Sequence, residues 1–130
     1  MLIIKNSYLT EVNLGTVAAS AQVNIGTINE LLGRVIYGVQ AFSVADIALS
    51  PNGQTVVSTA GLASCVLTLV EQDRQNVFLY PLSDLRAANV NGFQRAFRPG
   101  KYDLTRSFIT MVVATNLVNN DRVCLNFYYE

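Results

Sequence analysis

The chain has no histidine and no tryptophan, and its 130 residues include only two cysteines. Without histidine there is no Ser–His or Cys–His nucleophile arrangement and no imidazole metal site. Charge is scarce too. Only 14% of the residues are Asp, Glu, Lys or Arg, against roughly 25% in a typical soluble domain. Nine basic residues balance nine acidic ones, so no overall field draws the chain to nucleic acid or an anionic membrane. No apolar run approaches the roughly 18 residues of a membrane span. No Gly-x-Gly-x-x-Gly or Gly-x-x-x-x-Gly-Lys-Ser/Thr phosphate loop occurs. The opening MLIIKNSYLT is too short in apolar length for a secretory signal and lacks a small-residue cleavage site. There is no Asn-x-Ser/Thr sequon either. A non-glycosylated, non-enzymatic protein without cofactor or metal is expected.

What is present is apolar. Hydrophobic residues make up 51% of the chain and the mean hydropathy is +0.31, which excludes intrinsic disorder. The length favours one domain spanning 1–130. Period-2 alternation recurs along the chain and long helical periodicity does not. Strands are expected at Leu2–Lys5, Val17–Ile25, Arg34–Val44, Gln54–Ser58, Leu62–Glu71, Val77–Leu82, Phe108–Thr115 and Val123–Tyr129, with a brief one at Phe93–Phe97. In the long third strand Val35, Tyr37, Val39 and Ala41 alternate with Ile36, Gly38, Gln40 and Phe42. Single helical turns are expected at Ile28–Leu32, behind the capping-box spacing Thr27–Glu30, and at Ser83–Ala88. Ser50-Pro-Asn-Gly53 reads as a turn, with Pro51 presetting φ. Eight or nine short strands at 8–12-residue spacing define an all-β sandwich or barrel.

Few residues carry candidate chemistry. Cys65 shares a strand face with Leu67 and Leu69, Cys124 with Asn126 and Tyr128, and both read as free thiols. Glu71, Asp73 and Asp84 are the only clustered acids, a pattern that solvated turns also give; paired carboxylates would be needed for glycoside hydrolysis. The informative stretch is Arg86–Arg106. It holds Arg86, Arg95, Arg98, Lys101 and Arg106 against the single acid Asp103, a net +4, while the rest of the chain has four basic and eight acidic residues, a net −4. Phe93, Phe97 and Tyr102 interleave with these cations. Three readings stand side by side. The segment is a solvated loop with its aromatics in the core, a subunit contact on the acidic face of a neighbour, or a polyanion site, which zero net charge disfavours. Seven Arg against two Lys favour contacts that exclude water. The subunit-interface set is therefore Arg86, Phe93, Arg95, Phe97, Arg98, Lys101 and Arg106.

Four stretches then carry a resemblance: Gly33-Arg-Val-Ile-Tyr-Gly-Val-Gln-Ala-Phe42, Leu49-Ser-Pro-Asn-Gly53, Phe78-Leu-Tyr-Pro-Leu-Ser-Asp-Leu85 and Tyr102-Asp-Leu-Thr-Arg-Ser-Phe-Ile109. As a pattern of strands and turns the chain resembles the single jelly-roll capsid and vertex proteins of tailless icosahedral bacteriophages. That resemblance implies a jelly-roll-like antiparallel β-sandwich of about eight strands with a structural role. It also implies assembly with itself as a pentamer or trimer, a major coat protein as neighbour, no direct nucleic-acid contact, and residence in the virion after synthesis in the host cytoplasm. A vertex (penton) or minor capsid subunit fits a chain too short for a double jelly roll. The alternative is a β-sandwich binding module for carbohydrate or a host surface, with Tyr80, Tyr102, Tyr128 or Tyr129 as stacking groups.

Overall fold

The computed structural model describes residues 6–73, 76–86 and 97–130. Among them run seven strands: β1 (Asn6–Asn13), β2 (Ala21–Asn24), β3 (Ile36–Phe42), β4 (Cys65–Val70), β5 (Val77–Pro81), β6 (Phe108–Met111) and β7 (Arg122–Tyr129). They form two antiparallel sheets, ordered β1-β7-β3 and β2-β6-β4-β5. Alternation sends every second side chain inward. From the first sheet these are Val12, Val39, Ala41, Val123, Leu125 and Phe127. From the second they are Cys65, Leu67, Leu69, Tyr80, Ile109 and Met111, and all twelve belong to one buried cluster. A sheet buries one face only by packing it against another layer, and here the second sheet is that layer.

The order of pairing identifies the winding. Strand β4 pairs with β5, β2 with β6, and β1 with β7. On the free edge of β3, Ile36 exchanges two backbone hydrogen bonds with Gly100, which precedes β6, at 2.8 and 3.1 Å. Each strand before the β4–β5 turn thus meets its mirror image after it. A long hairpin rolled up on itself gives this nesting, which is the jelly-roll sandwich.

Several elements depart from the sequence pattern, each for a local reason. The expected strand Leu2–Lys5 lies outside the described residues. Strand β1 follows it in a stretch rich in Asn, Ser and Thr, held by an eight-residue register with β7. The second strand shortens to Ala21–Asn24 because Gly15 and Ser20 take positive φ and break the extended run before it. Gln54–Ser58 forms no strand, only isolated bridges such as Val56 with Arg122. Strand β4 begins late because the Ser58 hydroxyl accepts from the Gly61 N–H at 3.0 Å and caps a helical turn, Thr59–Leu62. The other two turns are 3-10 turns, Asn29–Leu31 and Leu82–Leu85, and neither has a side-chain cap. Strand β6 stops at Met111, four residues short of the expected end. Of Phe93–Phe97, only Phe97 is among the described residues.

The largest departure is in β3. Its register against β7 shifts between Ile36 and Gly38, which leaves Tyr37 as an extra residue. A β-bulge of this kind moves later residues to the other face. Ile36 therefore joins Val39 and Ala41 in the core, each 0% exposed, although strict alternation separates them. Tyr37 turns out instead and donates its hydroxyl to Glu130 Oε2 at 3.0 Å.

Both cysteines are free and buried. They lie in different sheets, and burial pushes each thiol up to about 11, so neither is an activated nucleophile. Gly61 is packed as tightly as any core residue. A Cβ there would sit 2.6 Å from Val57 Cγ2 and 2.9 Å from the Asn116 carbonyl oxygen. Backbone cannot yield as a flexible side chain can, so Gly61→Ala is expected to lower stability by about 1–3 kcal/mol, read as an earlier midpoint in urea unfolding with an unchanged slope.

Candidate assembly surface

The basic segment begins where the Leu82–Leu85 turn ends, and its first cation is already engaged. Arg86 grips Asp46 with two hydrogen bonds, Nε to Oδ2 at 3.0 Å and Nη2 to Oδ1 at 3.2 Å. The same carboxylate accepts the Ser43 N–H and hydroxyl, both at 3.1 Å. Arg86 chiefly, with Ser43 behind it, holds the Asp46 carboxyl below the usual aspartate range. A bidentate fork this well placed ties the segment to the loop after β3 rather than offering a free guanidinium. At the far end Arg106 Nε meets Asp103 Oδ2 at 2.9 Å. Asp103 is also lowered, first by the Thr105 hydroxyl and then by Arg106. Arg86 and Arg106 thus spend their charge inside the subunit.

The aromatics of the segment are anchors. Phe97 is 9% exposed and Tyr102 6%. Phe97 stacks on Tyr80 with ring centres 5.1 Å apart and meets Tyr102 edge-on at 5.9 Å. Phe78 closes the group at 6.1 Å from Tyr102. The Arg98 N–H donates to the Tyr80 hydroxyl at 3.0 Å, and the Tyr102 hydroxyl donates to the Arg98 carbonyl. Burial raises the Tyr102 phenol well above its ordinary value, so its hydroxyl stays protonated and keeps donating to the Arg98 carbonyl. Of the three readings of the segment, the one that places its aromatics in the core holds for Phe97 and Tyr102. Phe93 and Arg95 lie outside the described residues.

Among the described residues of the segment, two cations stand outside without an ion-pair partner within the chain. Arg98 and Lys101 are exposed, with the Arg98 guanidinium 5.3 Å over the Phe78 ring, a cation–π contact that orients it without neutralising it. Glu71 and Asp73 precede β5 and Asp84 follows it, and Glu71 accepts from the Asn76 side-chain amide at 2.9 Å. Among the described residues no three acids or thiols cluster as metal ligands would. Of the tyrosines considered for stacking, Tyr80 and Tyr102 are buried, while Tyr128 and Tyr129 are half-buried at the end of β7.

What the composition implied without locating is an apolar exterior. Among the described residues Leu9, Leu32, Val44, Leu49, Val77, Leu79, Val112, Val113 and Val118 are all exposed. The outer face of the four-stranded sheet aligns Phe108 with Thr68 and Leu79, and Val70 with Val77. Sequence carried a signal for this in β5, Val-Phe-Leu-Tyr-Pro, which is apolar on both faces. An open cleft of about 370 Å³ sits elsewhere, lined by Asn13, Gln54, Thr55 and residues Val118 to Arg122. Its walls are amide-rich and hold no aromatic ring. Beneath it Arg122 Nε approaches Glu11 Oε2 at 3.4 Å, an ion pair too loosely aligned to be a hydrogen bond, since that oxygen is otherwise unpartnered.

Comparison of the chain with protein-family models, curated proteins and solved structures gives no match in any of the three.

The Arg86–Asp46 fork predicts a pH dependence of stability. A carboxyl lowered by folding stabilises fully above its ordinary value near 3.8, and that contribution is lost as pH falls through the lower, folded value. Asp46→Asn is expected to cost about 1–3 kcal/mol at pH 7 by leaving Arg86 half-paired. It should also flatten the acid limb of the stability profile, measured by urea unfolding between pH 7 and pH 2.

Proposed function

We propose that this protein is a non-enzymatic structural subunit that self-assembles within an icosahedral phage capsid, as a vertex or minor capsid protein beside a major coat protein. The observation that carries the reading is a set of exposed aliphatic side chains on a thinly charged jelly-roll sandwich. The sandwich has satisfied its core, yet Val77, Leu79, Val112, Val113 and Val118 remain in water. Large exposed apolar areas mark surfaces that meet partners, and their burial at about 25 cal/mol per Å² offsets the entropy of association. Jelly rolls host more than one function, so the capsid assignment rests on the pattern-level resemblance together with this exterior. Pentamers or trimers in a virion, formed from chains made in the host cytoplasm, follow from the same reading.

Within it, among the described residues of the segment, Arg98 and Lys101 are exposed cations able to meet acids of a neighbour, and Glu30, Asp73 and Asp84 are exposed acids that suit them. Opposite potentials of this kind set orientation and partner choice more than affinity. A second reading, a module for carbohydrate or a host surface, draws on the amide-lined cleft at Asn13, Gln54 and Asn119. Binding on a glycan array by a chain that stays monomeric would favour it.

Native mass spectrometry and light scattering test the first reading. Oligomers are expected from the purified chain or on mixing with its coat protein, and a monomer under both conditions removes it. Arg98→Glu combined with Lys101→Glu is expected to weaken assembly about tenfold or more, with added salt acting in the same direction but more mildly.

A further inference from the structure

The four-stranded sheet ends at β5, and the hydrogen-bond parity of that strand is fixed by its turn. The Glu71 N–H donates to the Asn76 carbonyl at 2.8 Å. Bonded pairs alternate along an antiparallel ladder, so Leu69 with Phe78 and Leu67 with Tyr80 are the next bonded pairs in the β4–β5 register. Val77, Leu79 and Pro81 therefore turn their backbone polar groups away from β4. Among the described residues nothing pairs with them. Their side chains stand on the outer face, where Val77 is 49% and Leu79 64% exposed. Two other edges are guarded. Gly100 and Arg86 bridge to β3, and β2 is four residues long with Gln22 and Asn24 outward. Natural proteins blunt an edge with charge, bulges or proline, and β5 has no charge and only its last residue as proline.

We propose that β5 pairs antiparallel with β5 of a second copy about a two-fold axis at Leu79, joining two four-stranded sheets into one of eight strands. A second copy is the occupant because the strand is complementary to itself. Leu79 faces its own equivalent, Val77 faces Pro81, and no like charges meet. An isologous contact of this form closes without propagating. In this register Leu79 and its mate exchange two hydrogen bonds, and each Val77 N–H donates to the opposite Pro81 carbonyl. Pro81 has no N–H, so each Val77 carbonyl is left without a donor. A five-residue pair is about 17 Å long, shorter than an interface of about 800 Å² per partner requires. The contact is weak alone and gains strength when each subunit makes others. It rests on the self-assembly reading and names one of its surfaces.

Leu79→Cys tests the axis in the full chain, because residues in a bonded antiparallel pair lie about 5.5 Å apart at Cα, within disulfide reach. The native thiols are buried and do not compete. A disulfide dimer is expected with oxidised glutathione, at concentrations where the wild-type chain associates. Leu79→Lys, at an exposed site that folding tolerates, is expected to weaken dimerisation at least tenfold in sedimentation velocity with unchanged circular dichroism. Pro81→Val, which supplies the missing donors, should tighten it about tenfold. A wild-type chain that associates while Leu79→Cys stays unlinked and Leu79→Lys changes nothing overturns the β5 contact and leaves self-assembly standing. A wild-type chain that is monomeric throughout, alone and with its coat protein, overturns both.

Discussion

The first sheet hangs on β7. This strand lies between β1 and β3 and pairs with both along almost its full length. Val123, Cys124, Leu125 and Phe127 are completely buried. It joins the chain's last strand to its first described one, so the roll closes only when residues more than a hundred positions apart meet. Loop-closure entropy rises slowly with length, so such a pairing is affordable once formed, but nothing local rewards it beforehand. The nested order of the remaining strands follows from that closure, as do the two sheet faces left outside.

The basic segment shows how a polar feature can be absorbed into a fold. Charge counting sets Arg86–Arg106 apart from an acidic body, as though the whole stretch faced a partner. In the folded chain its two ends are used internally. Arg86 clamps the loop after β3 through Asp46, and Phe97 and Tyr102 pack on the inner side of β5. These contacts fix Arg86 and the stretch from Phe97 to Tyr102 against the sandwich, and they leave Arg98 and Lys101 on a firmly held stretch of backbone. A rigidly presented cation loses less entropy on meeting an acid than a mobile one. Among its described residues the segment has its aromatic anchors facing the core and Arg98 and Lys101 facing out.

The exterior completes the same logic. With so few ionised groups, much of this surface is neutral polar or apolar, and its aliphatic side chains fall on strand and loop positions the core cannot reach. On β5 the outward side chains coincide with the outward backbone groups. Apolar area and hydrogen-bonding capacity are therefore offered at one edge, as strand addition requires.

The sequence by itself determined the all-β class, most strand centres and the unpaired state of both cysteines, while the burial of Cys124, on the face of Asn126 and Tyr128, came only with the fold. The first three depend on period-2 alternation or on composition, which neighbours along the chain specify. Strand ends were less legible, because β2 and β4 are trimmed by positive-φ residues and by a Ser58-capped turn that compete with extension locally. The tertiary structure alone decided which strands pair, the bulge that puts Ile36 and Val39 on one face, and the polar edge strand β1. It alone also decided that Arg86 answers Asp46, forty positions away. The reason is physical: a register, a bulge or an ion pair across the fold is selected by the fit of distant surfaces, and that fit leaves no periodic trace in the residues that make it.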